Sequence, residues 1–248
     1  MQMNEIKFEH WQTSRLLPYA RNPRKNDHVV DQMAAAITDK TRLLFVCNPN
    51  NPTGTMATKT EVAALMARVP EHVVVVFDEA YYEYVRHPEF PDSIGYVKAG
   101  RNAIVLRTFS KIYGLAGLRI GYGITTPEMT NYLNRIRPPF NANSMAQRAA
   151  LAALDDEAHV AASRSLNHAE MDHVRAGLQR LGFEALPSET NFLYFDVGRD
   201  GRVVFDALLR KGIIVRHIDG SMLRVTIGLP EENQLFLSAL QDVLGASR

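Results

Sequence analysis

The chain alternates between short, almost wholly apolar runs and longer stretches with helical spacing. From Thr41 onward, LLFVCN (43–48), VVVVFDEA (73–80), AIVLRT (103–108) and RIGYGIT (119–125) each read as a short strand. Between the first two lies TKTEVAALMARV (58–69), a helix pattern whose Thr58 and Glu61 fit a capping box. Continuous apolar runs separated by helices predict an α/β fold: a mainly parallel sheet with helices on both faces. Chemistry on such sheets collects at the carboxyl ends of the strands.

The second half has a different rhythm. A helical run from about Ala146 to Leu154 leads into DDEAHVAASRSLNHAEMDHVRAGLQRLG (155–182), closed by Gly182. FEALPS, NFLYFDV, a helix around VVFDALLRKG, IIVR, MLRVTIG and a last helix from Pro230 follow. This order predicts a small α+β domain over 151–248, after a larger unit over 38–150. Residues 1–37 stand apart as a leader: RLLPYARNPRKND is a loop rich in proline and arginine, and DHVVDQMAAAI is a helix candidate with Asp27 near its cap.

Charge and cysteine usage narrow the function classes. Lys+Arg number 28 against 27 Asp+Glu, a formal charge of +1, which gives no support to nucleic-acid or acidic-membrane binding. The single cysteine, Cys47, rules out an intramolecular disulfide and fits a reducing compartment. No stretch approaches the roughly 20 apolar residues of a membrane helix, and the N-terminus lacks a signal peptide's apolar core. A cytoplasmic protein is expected. The eight histidines show no zinc-like spacing, so no metal is expected.

RTFSKIYGLAGLRIGYG (107–123) sets Lys111 directly after Ser110 and places Arg119 in a glycine-spaced stretch. Taken singly, these residues have plain readings: a solvated lysine, a surface arginine, Asp78 as a helix cap, NPNNPTG as a tight turn. Together they suit an aldehyde cofactor that carries a phosphate and a pyridine ring. Lys111 would supply the amine, with Thr108, Ser110 and Arg119 as an anion site. Asp78, at a strand end, would favour a protonated ring nitrogen, and Asn51 and Tyr81 could donate to a ring oxygen.

NPNNPTG, FDEAYYEY, TFSKIYGLAGLRIGYG and LRVTIG, in this order, resemble the fold-type I pyridoxal-phosphate aminotransferases, and more narrowly the histidinol-phosphate aminotransferases. The likeness covers about residues 36–248. It implies pyridoxal 5'-phosphate held as a Schiff base on Lys111, which later shuttles a proton. Asp78 would pair with the ring nitrogen, Asn51 and Tyr81 with the ring oxygen, and Thr108, Ser110 and Arg119 with the phosphate. Arg224, in LRVTIG, would receive the substrate carboxylate, with Asn191 nearby. Amino-acid and 2-oxo-acid substrates and a homodimer are further implications.

The family carries a long segment before NPNNPTG, including a phosphate loop, a ring-stacking aromatic and a tyrosine lent by the partner subunit. This chain reaches the motif at Asn48. In that place residues 6–37 resemble the opening of a ParB-like domain, so a truncated or chimeric gene with impaired activity is expected. Two alternatives stand beside the transaminase. One is a threonine-phosphate-type decarboxylase using the same cofactor. The other is a non-catalytic adaptor engaging DNA or a partition-type protein through Arg15, Arg21, Arg24 and Lys25.

Overall fold

A computed structural model describes residues 29–245. The expectations for residues 1–28, including the arginine cluster and the Asp27 cap, lie outside the described residues. Two sheets organise the rest. The first has the order β1-β2-β3-β4, from β1 (Leu43–Cys47), β2 (Val74–Asp78), β3 (Ala103–Thr108) and β4 (Gly121–Ile124). The first three strands are parallel, and β4 runs antiparallel to β3.

One face of this sheet carries its apolar core. Val46, Val75, Phe77 and Val105 pack with Val62, Leu65 and Met66 of α2 (Lys59–Arg68) and with Val97 of α3 (Ser93–Lys98). α1 (Val29–Ala36) adds Val30 and Met33 at the margin. α2 begins where the sequence signals it: the Thr58 hydroxyl accepts from Glu61 N–H, and the Glu61 carboxylate accepts from Thr58 N–H.

The other face is covered unevenly: Val76 of β2 and Ile104 of β3 are buried there. Leu43 and Phe45 of β1 are 56% and 54% exposed, and Leu106 of β3 is 38% exposed. An unbroken apolar run does not distinguish a strand buried on one face from a strand buried on both. The exposure pattern of β1 is that of a strand packed on one face within the described residues.

The second sheet is antiparallel, ordered β5-β7-β6, from β5 (Phe192–Asp196), β6 (Arg216–Asp219) and β7 (Met222–Thr226). It packs on α7 (Gly201–Arg210), α8 (Pro230–Gly245) and the C-terminal half of the long α6 (Glu157–Arg180). Leu178, Leu193, Phe195, Leu208, Leu223 and Leu240 fill this second core. α4 (Pro127–Ile136) and α5 (Ser144–Asp155) lead from β4 to α6. Among the described residues no helix is long and apolar enough to cross a membrane.

A small third cluster joins the halves: Tyr81, Tyr84, Ile112 and Phe192. Its rim holds a buried acid. Glu83 is 5% exposed, and its Oε2 has no hydrogen-bond partner among the described residues. Burial pushes the Glu83 carboxyl up, against a smaller pull down from its own backbone and from Arg107. A raised folded value means that Glu83 favours folding fully below its unfolded value, near 4.3. That contribution is lost as pH rises through the folded value. Glu83→Gln is therefore expected to gain about 1 kcal/mol at pH 7 and to lose that advantage near pH 4. Urea melts of both proteins at the two pH values check this.

Candidate active site

The site is assembled from four chain segments that meet at the carboxyl ends of β2 and β3. β1 runs into Asn48-Pro49-Asn50-Asn51, where Asn48 N–H continues the ladder by donating to Asp78 C=O at 3.0 Å. Asn48 is buried and grips the far end of its own loop, donating to Ala57 C=O at 3.0 Å and accepting from Ala57 N–H at 2.8 Å. This bracket presents Asn51 beside β7. The Asn51 Oδ1 accepts from Arg224 Nη1 at 2.6 Å, across 173 residues of sequence.

Arg224 is only partly compensated. Its guanidinium lies 4.6 Å from the centroid of the Phe192 ring, and its buried Nε has no partner among the described residues. It forms no ion pair there. Burial pulls its pKa down, and neighbouring Arg216 adds to this, while Tyr81 acts the other way. A half-buried guanidinium with a free N–H and no carboxylate is a ready receptor for an anion.

Tyr81 ends the turn after β2 and is buried. Its ring meets Phe192 edge-on, with centroids 5.3 Å apart, and Lys111 Nζ lies 5.2 Å from the Tyr81 centroid. Lys111, Tyr81, Phe192, Arg224 and Asn51 thus form one chain of contacts. Phe192 escaped the sequence reading. It looked like an ordinary core position of a strand, and no local signal marks a ring that touches both Tyr81 and Arg224.

The remaining candidates sit around this chain without joining it. Thr108 and Ser110 are linked where β3 ends, with Thr108 Oγ1 accepting from Ser110 N–H at 3.0 Å. Arg119 lies on the adjoining segment, since Phe109 N–H donates to Ile120 C=O and Thr108 pairs with Gly121. Its backbone is left-handed at φ 53°, and its guanidinium turns back to donate to Ala116 C=O at 2.8 Å. Asp78 Oδ1 accepts from Ala80 N–H at 3.2 Å, so this carboxylate braces its own turn. Asn191 contributes its carbonyl, which accepts from Ile227 N–H at 2.9 Å.

The profile of the family "Aminotransferase class I and II" matches residues 9–240. The chain belongs to that family. The match begins inside the segment 6–37 that resembles a ParB-like opening. Among relatives of this aminotransferase-family chain, histidinol-phosphate aminotransferase of Moorella thermoacetica is 52% identical over 222 residues, covering 88% of this chain and 58% of the relative. Histidinol-phosphate aminotransferase 2 of Pseudomonas fluorescens is 48% identical over 227 residues, covering 90% and 61%. The chain therefore spans about three fifths of the length of these curated relatives.

Among solved structures, histidinol-phosphate aminotransferase from Sinorhizobium meliloti in complex with pyridoxal-5'-phosphate superposes with a TM-score of 0.83 at 29% identity, covering 94% of this chain and 64% of that one. L-threonine-O-3-phosphate decarboxylase from Porphyromonas gingivalis, at 24% identity and a TM-score of 0.74, shares the fold.

The Asn51 loop is seated by a glycine contact that can be tested. Gly54 has φ +81°, and a Cβ there would lie 2.4 Å from the buried Ser188 Oγ. That hydroxyl donates to Phe192 C=O at 2.8 Å, and Glu189 N–H donates to Gly54 C=O at 2.9 Å. Gly54→Ala is expected to destabilise the protein by about 3 kcal/mol, from the left-handed backbone and the clash together. In a Ser188→Gly background, which has already lost that hydroxyl's own bonds, Gly54→Ala should cost only the backbone share of about 1 kcal/mol. Chemical denaturation of wild type, both single variants and the double variant measures both parts.

Proposed function

We propose that this chain binds pyridoxal 5'-phosphate at the strand ends and belongs to an enzyme that moves amino groups between histidinol phosphate and 2-oxoglutarate. The observation that carries this reading is the contact chain Lys111–Tyr81–Phe192–Arg224–Asn51. It sets one amine over Tyr81 and one guanidinium over Phe192, two rings that touch each other. The fit to the cofactor rests on the Thr108–Ser110 turn beside the lysine, and the fit to a substrate anion on the buried Arg224 Nε, which has no partner among the described residues.

When bound, the cofactor supplies an aldehyde for the lysine amine and a ring that withdraws electrons from the substrate's α-carbon. The chain's own residues do the rest. Lys111 Nζ would hold the cofactor's aldehyde and would carry the α-proton. Tyr81 Oη and the Asn51 amide would donate to the ring oxygen, and Asp78 would favour a protonated ring nitrogen. Thr108, Ser110 and Arg119 would hold the phosphate, for which Arg119 would have to release Ala116 C=O. Arg224 would clamp the α-carboxylate of glutamate and orient its α-hydrogen toward Lys111. Asn191 supports that end of the site through its carbonyl bond to the strand after Arg224.

The same reading assigns 38–150 to the cofactor-binding domain and 151–248 to the small domain, with a homodimer as the working assembly. The exposed Leu43, Phe45, Met145 and Leu151 support an assembly larger than this chain alone. Absorbance titration with pyridoxal phosphate tests the reading. A saturable visible band is expected, trapped by borohydride on the peptide containing Lys111 and absent from Lys111→Ala. With the band in hand, a phosphorylated ketone from histidinol phosphate, formed together with glutamate from 2-oxoglutarate, supports transamination, whereas amine and carbon dioxide from a phosphorylated amino acid would support a decarboxylase. A folded wild-type protein that gives no band sinks the proposal.

A further inference from the structure

The ends of β2 and β3 are tied by a pair that no role above uses. Glu79 follows Asp78, and Arg107 precedes Thr108. The Glu79 N–H donates to Leu106 C=O at 2.9 Å, the last rung before the two strands part. One step further, Arg107 donates through Nε (3.0 Å) and Nη2 (2.8 Å) to a single oxygen, Glu79 Oε2. The pair is out of water, with side chains 13% and 1% exposed. The Tyr82 ring covers the guanidinium at 3.5 Å. Strand alternation puts Glu79 and Arg107 on the face of Phe77 and Val105, so Asp78 and Thr108 project from the opposite face.

We propose that Glu79 and Arg107 are positioning residues, a lateral clamp that fixes how far Asp78 stands from the Thr108–Lys111 turn. This rests on the cofactor reading above. Two bonds to one oxygen and a ring over one face leave Arg107 a single orientation, and its backbone carries Thr108 with it. Stability alone is a poor explanation. Apolar residues of similar volume in place of a buried ion pair are often neutral or stabilising. What an apolar pair cannot supply is a directional tie beyond the end of the ladder. Past this point both strands enter turns, and the side chains assigned to the cofactor sit on those turns.

The test compares wild type with Glu79→Leu/Arg107→Met and with Glu79→Gln, which retains a neutral acceptor. Hydrogen exchange is read on the free protein, and cofactor affinity and the pH midpoint of its visible band on the loaded protein. The double variant should melt near the wild-type temperature. Amides of 109–114 should nevertheless exchange about ten-fold faster, with those of 201–245 unchanged. Its half-saturation for pyridoxal phosphate should rise by a similar factor and its band midpoint should move. Glu79→Gln should fall between, and it decides alone if the double variant does not fold. Wild-type exchange, affinity and midpoint in a folded variant would overturn the clamp, as would faster exchange spread evenly over the chain. A wild-type protein with no band, but with the local exchange effect intact, would remove the cofactor reading and leave the clamp standing.

Discussion

Three backbone carbonyls govern how the site is held. Those of Glu83 and Tyr84 belong to a turn too short to satisfy them internally, and that of Ile112 follows the lysine. All three are met by side chains of α6. Arg164 Nε donates to Glu83 C=O, His168 Nε2 to Tyr84 C=O at 2.7 Å, and His159 Nε2 to Ile112 C=O at 2.9 Å. Asp172, one turn beyond His168, closes the series with a two-bond ion pair to Arg86. Each bond contributes about 1 kcal/mol net, but an unmet buried carbonyl would cost about 1–3 kcal/mol. The Tyr81–Tyr84–Ile112–Phe192 cluster can exclude water only because these donors come with it. Docking of α6 and ordering of the lysine turn are thus one event, and the site exists only when both halves of the chain are in place.

The distribution of charge around that cluster separates scaffold from chemistry. On the core side of the sheet, Arg107 is fully engaged with Glu79 and capped by Tyr82. On the site side, Lys111 faces a ring, and Arg224 has an amide oxygen, a ring and a free N–H. A cation kept half-buried without an anion is unfavourable in the free protein, and its depressed pKa registers this. Such groups are retained where a ligand completes them. A phosphate and an α-carboxylate are two anions that the proposed reaction brings, and Arg119 and Arg224 meet only neutral acceptors among the described residues.

How much of this could be read in advance depends on what each feature is made of. Asp78 and Thr108 were legible as strand ends because apolar runs report β2 and β3 directly, and the α2 capping box was legible because its two side chains lie three residues apart. α6 was visible as a helix. That His159, Arg164 and His168 serve carbonyls was not, since a backbone acceptor leaves no mark in sequence. The antiparallel turn of β4 and the exposed face of β1 depend on neighbours that periodicity does not encode.

The Asn51–Arg224 bond is the extreme case. No window of sequence spans 173 residues, and only the likeness of ordered motifs to a known family suggested that the two share a site. The geometry supplies the reason they can. β7 sits at the centre of the antiparallel sheet, flanked by β5 and β6, so Arg224 can move only with the whole second core. Asn51 is held by the Asn48 bracket and by the close packing of Gly54 on Ser188. Two rigid mounts, one on each half, bring an amide and a guanidinium within 2.6 Å. A displacement of either half would be felt there first, because hydrogen bonds weaken over tenths of an ångström while apolar contacts tolerate more.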